Sequence, residues 1–228
     1  MQKSNFMNIK SYLQFKTLSL VLIGDFNPLI IQPFWLAYKG LIREQEAGEA
    51  KVEILHSELV KFSIGWATFE ITGERFEIKT SQEPYFEPVR DLCLSIFEIL
   101  RETPVRAMGI NHINHYSLPR EDVFFEFGNK LAPLNAWSTL LQKPRVSLFE
   151  IFEEKRRDEY TGNYRIRVRP SDQKLQFGIQ IEVNDHYEVP KESYGRNAEL
   201  MTILKSNWTN SLNFVETITE GLWKHITN

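Results

Sequence analysis

The stretch Leu175-Gln-Phe-Gly-Ile-Gln-Ile-Glu-Val-Asn184 decides the fold. Phe177, Ile179, Ile181 and Val183 share one side of a period-two repeat, and Gln176, Gln180 and Glu182 share the other. That is the pattern of a strand with one dry face and one wet face. Two strand-like runs precede it, Val146–Glu154 and Asn163–Arg169, separated by charged or Gly/Asp-containing turns. Such spacing predicts an antiparallel meander of three strands. From about Ala198 the period changes. Leu204, Trp208, Leu212, Val215, Ile218 and Leu222 recur at helical intervals and form one apolar stripe.

A comparable series lies upstream. Leu18–Phe26 is an apolar, β-rich run stopped by Asn27-Pro28, and Gln32-Pro33 opens a helix that buries Trp35, Leu36 and Leu41. Glu44–Ala50 reads as an exposed acidic loop. Residues 52–63 alternate imperfectly, whereas Trp66–Thr72 and Glu74–Lys79 flank Thr72-Gly73 as a hairpin. Pro88 opens a helix carrying Val89, Leu92, Cys93, Ile96, Ile99 and Leu100, which Thr103-Pro104 stops. Val105–Tyr116 reads as a strand, and Pro133 splits Pro119–Gln142 into two helices. The expected fold class is α+β, antiparallel sheets packed with amphipathic helices. Two similar halves, residues 1–118 and 119–228, are expected in one compact unit joined near Ser117-Leu118-Pro119.

Composition narrows function mainly by exclusion. With 42% apolar and 13% aromatic residues the chain can fill a core without a metal or disulfide staple. The 27 basic and 30 acidic residues leave a net charge of −3, so no global attraction draws it to nucleic acid or an anionic membrane. The single Cys93 excludes an internal disulfide and a thiolate zinc site, and reads as a buried thiol in a reducing cytosol. Met1–Lys10 is polar and Leu18–Ile23 is too short for a signal or membrane segment, so a cytoplasmic protein with no membrane partner is expected.

Few residues suggest chemistry. His112 and His115 are three apart, a metal-binding interval on a helix, but on a strand that spacing sends the rings to opposite faces. Structural, hydrogen-bonded roles are expected for both, with no metal and no cofactor. Asp25 follows an apolar strand, where carboxylates act in open α/β folds, but Gly24–Pro28 also forms a natural turn. Asp185-His186 is half of a catalytic pair without an identifiable nucleophile, and no phosphate loop or nucleophile elbow is present. The most suggestive run is Tyr164-Arg-Ile-Arg-Val-Arg169, which turns Ile166 and Val168 inward and aligns Arg165, Arg167 and Arg169 on one face. Lys155, Arg156 and Arg157 lie upstream, with Tyr160 and Tyr164 flanking. This ladder suits phosphate, RNA or an acidic protein surface, unless Glu150, Glu154 and Glu182 on neighbouring strands offset its charge.

Arg106-Ala-Met-Gly-Ile-Asn-His-Ile-Asn114 resembles the signature strand of a sporadically distributed, functionally uncharacterised bacterial family of about this size. That strand carries Arg, then Gly, an apolar residue, Arg, Tyr, Ile and Asn. Gly109, Ile110, Ile113 and Asn114 match it, Asn111 and His112 replace the usual Arg and Tyr, and Arg106 sits one place early. The resemblance implies a bacterial cytosolic protein of mixed α and β structure and transfers no catalytic residue. The expected function is a non-enzymatic interaction protein, a subunit or binding module of a bacterial complex. A protein partner or homo-oligomer is expected ahead of nucleic acid. The alternative is an enzyme or a nucleotide- or nucleic-acid-handling protein using Asp25, His112, His115, Asp185 or the arginine face.

Overall fold

The computed structural model describes residues 8–190 and 197–227; most of the polar N-terminal stretch, residues 1–7, lies outside the described residues. The chain is α+β. Strands β1 (Leu13–Gly24), β2 (Lys51–Leu55), β3 (Leu59–Ile64), β4 (Ala67–Thr72), β5 (Arg75–Thr80), β6 (Val105–Ser117), β7 (Phe149–Glu153), β8 (Gly162–Pro170) and β9 (Gly178–Glu188) form one antiparallel sheet. Their spatial order is β2-β3-β4-β5-β1-β6-β9-β8-β7. Short helices α1 (Pro33–Tyr38) and α2 (Glu44–Gly48) follow β1, and α3 (Phe86–Ile99) follows β5. Helices α4 (Glu121–Leu131) and α5 (Asn135–Ser138) follow β6, and α6 (Ala198–Thr227) closes the chain.

The alternation that predicted the strands also decides where the core sits. Leu18, Leu20 and Leu22 of β1, Phe76 and Ile78 of β5, Met108 and Ile110 of β6, and Ile181 and Val183 of β9 are fully buried. All point to the side on which α3 and α6 pack. The opposite side carries Lys79, Asn111, Asn184 and Arg165, away from α3 and α6, and near Ser171 its His115 and Gln180 are buried. Along α6, the stretch from Leu200 to Trp208 belongs to the larger core cluster with α3, while Val215, Trp223 and Ile226 join a second cluster with α4. Asn197 couples the two long helices. Its side-chain Nδ2 donates to the carbonyls of Phe97 and Leu100 at the end of α3, the latter also accepting from the Thr103 N–H, while its own carbonyl accepts from Met201 in the first turn of α6.

Two expectations are corrected. Residues 44–48 are helical and not a loop, because Glu46 accepts the Arg43 backbone N–H and the Trp66 indole N–H, which closes the first turn. β9 begins at Gly178; Phe177, with φ 51°, belongs to the preceding turn. The order strand, short helices, meander, long helix occurs twice, and β6 is the counterpart of β1. Cys93 is buried against the core, where desolvation pushes its thiol pKa up. Among the described residues no helix is long and apolar enough to cross a membrane.

Candidate functional site

β6 lies at the centre of the sheet, so its two faces see different worlds. His112, Asn114 and Tyr116 point towards the helices and are buried. His112 Nε2 lies 3.3 Å from Ser211 Oγ of α6, and burial, with a smaller push from Lys16, lowers its pKa to about 4. The ring is therefore neutral at pH 7. His115 faces the other way, with Nδ1 2.8 Å from Ser171 Oγ. Burial also lowers its pKa; Asp172 opposes that shift and Arg169 adds to it. Asp25 stands beyond the end of β1, 3.5 Å from Arg106 Nη1, while neighbouring Asn27 makes the turn by accepting from the Leu29 N–H. Asp185 is buried on the helix side, next to Arg156. These four residues occupy four separate places. Of them only His112 borders a cleft of about 510 Å³, whose lysines are already taken: Lys10 by Glu216 and Glu220, Lys16 by Glu83.

Arg156 does not join the exposed basic patch that the sequence suggests. Its guanidinium lies between the rings of Tyr187, at 3.7 Å, and Tyr164, at 4.5 Å. It donates to Asp185, to both oxygens of Asp158 and to the His186 carbonyl. Burial disfavours its charge, but the two carboxylates outweigh that and hold its pKa above the ordinary guanidinium value. Tyr187 donates to Asp185 and accepts from Asn207 of α6, so this knot ties the loop after β7 to β9 and α6. Tyr164 points into the same core and packs on Phe214, away from the arginines it was expected to flank. Lys155 and Arg157 remain exposed.

Arg165, Arg167 and Arg169 do stand together on the uncovered sheet face, but they are not equivalent. Arg167 is held between Glu150 and Glu182; the Glu150 hydrogen bond raises the arginine's pKa and lowers that of the glutamate. Arg169 lies 3.8 Å from Asp172, and Gln180, with Oε1 turned towards it, accepts from Nη2 at 3.0 Å. Arg165 sits 5.6 Å from the Phe152 ring, and among the described residues no carboxylate comes within ion-pair distance of it. Glu154 pairs with none of the three. Arg165 thus keeps charge to offer, and Arg169 is held only by the longer contact to Asp172 and by Gln180.

A polar chain at the centre of the same face escaped the sequence reading. Asn184 Nδ2 donates to Asn111 Oδ1, and Asn111 Nδ2 donates to Ser19 Oγ at 3.3 Å, linking β9, β6 and β1. Gly109 makes room for it, since a Cβ there would come 3.0 Å from Asn184 Nδ2. The residues are far apart in sequence, and only the strand register joins them. Among the described residues no group of three or more His, Cys, Asp or Glu side chains is placed to hold a metal ion. No protein-family model and no curated protein matches the chain.

Proposed function

We propose that the chain is a non-enzymatic interaction protein, a subunit or binding module, that presents the uncovered face of its sheet to an anionic partner. The observation that carries this reading is the state of Arg165. A guanidinium 5.6 Å from the Phe152 ring, with no carboxylate within ion-pair distance among the described residues although Glu150 feels its charge, is free to pair with an incoming anion. The dispersal of Asp25, His112, His115 and Asp185 over separate places supports this reading over the catalytic alternative, which calls for them in one pocket.

The test is co-purification of the tagged chain with its partner, using wild type, Arg165→Ala/Arg169→Ala and Arg167→Ala. Loss of the partner from the double variant and its retention by Arg167→Ala is the expected pattern. Undiminished recovery with the double variant, or a free monomer throughout, would overturn the reading.

A further inference from the structure

The sheet register places one residue from each strand in a single transverse row on the open face. From edge to edge it reads Lys51, Ser63, Thr68, Lys79, Ser19, Asn111, Asn184, Arg165 and Phe152. The row crosses all nine strands and contains three cations, no carboxylate and the amide chain at its middle. At about 4.8 Å per strand it spans about 38 Å. The rows beside it differ. One carries Glu70 and Glu77 with Lys61, the other Glu182 and Glu150 on either side of Arg167, each about 7 Å along the strands from the central row. The result is a narrow, wholly cationic lane between two rows of mixed charge.

We infer that this lane binds single-stranded nucleic acid, with the phosphates on Lys51, Lys79 and Arg165 and the bases over the amides and Phe152. This rests on the open face being the partner site, and it names the partner's class. Backbone cations with an aromatic platform are what single strands need, and side-chain amides read base edges. A duplex or a broad acidic protein would bring its outer charges over Glu70, Glu77, Glu150 and Glu182. The chain's net negative charge does not oppose the lane, because of the four glutamates within a Debye length of about 8 Å of it, Glu150 and Glu182 are paired with Arg167 and Glu77 with Arg75.

The probe is a fluorescein-labelled oligothymidylate of about twelve nucleotides, followed by anisotropy at low salt with the full chain. Saturable binding is expected, with a log–log salt slope near −2, about −0.7 for each of three contacts. Lys79→Ala/Arg165→Ala, shown folded by its melting curve, should weaken binding by about tenfold or more, and Arg167→Ala by less than about twofold. Three outcomes would overturn the inference: no saturable binding by wild type, equal losses in both variants, or equal affinity for a polyglutamate of the same length. Any of them, combined with partner loss in the Arg165→Ala/Arg169→Ala co-purification, would remove nucleic acid and leave the proposed function standing.

Discussion

Arg156 and Asp185 meet as an ion pair sealed from water, their side chains 1% and 2% exposed. Removing Arg156 leaves the Asp185 carboxylate buried without a cation, whereas Arg156 without Asp185 keeps Asp158. Arg156→Met should therefore cost about 3–5 kcal/mol in urea unfolding. Replacing both with apolar residues of similar volume, Arg156→Met with Asp185→Leu, should recover much of that loss. A double variant as unstable as the single one would show that the pair supplies net stability beyond satisfying itself.

His112 sets a pH limit. Its folded pKa of about 4 lies below the unfolded value near 6.5, so the unfolded chain takes up a proton that the folded chain refuses. Stability is full above about pH 6.5 and is lost as the pH falls towards 4, by on the order of 3 kcal/mol from this group. Asp158, whose pKa is held down by Arg156 against the opposing effect of burial, adds a further loss below about pH 3.8. Urea titrations between pH 7 and 4.5 should show a shallower pH slope in His112→Gln, and an unchanged slope would refute the assignment.

Gly162 opens β8 with φ 144°, and a side chain there would run into the His186 carbonyl oxygen of β9. Gly162→Ala should destabilise by about 2 kcal/mol, since both the backbone angle and the strand contact must give. Amide exchange should rise first at the Gly162 end of the β8–β9 pair. Uniform protection along that pair would contradict this.

Gly109→Ala tests the amide chain without touching a charge. The added methyl would sit 3.0 Å from Asn184 Nδ2 and push it by a few tenths of an ångström, which should strain its hydrogen bond to Asn111 and cost about 1 kcal/mol. The side-chain amide resonances of Asn111 and Asn184 should shift together. If only one moves, the two amides are not coupled.

Much of the fold was legible because period-two and helical patterns are local. The run 178–184, the hairpin about Thr72-Gly73 and the stripe on α6 each announce their own buried face. Glu44–Ala50 misled because acidic, Gly-containing stretches resemble loops, while its helix depends on Trp66, remote in sequence. The site was less legible. Alternation correctly gathers Arg165, Arg167 and Arg169 on a face, but only strand pairing shows that Glu150 and Glu182 occupy the middle one. Arg156, between two exposed basic residues, gives no local sign that Asp185 waits for it. The row through Lys79, Asn111 and Asn184 is a product of register, which no single segment encodes.

The pairing of β1 with β6 has a consequence during synthesis. Leu20 must meet Ile110, so one side of β1 stays open until the ribosome has supplied β6. At about 5–20 residues per second, that interval lasts roughly 5 to 20 seconds. Throughout it, a strand destined for the middle of the sheet is an edge strand bearing Leu18, Leu20 and Leu22. The nascent first half is therefore the aggregation-prone form of this protein, and shielding β1 from other chains until β6 arrives is the demand its topology places on the cell.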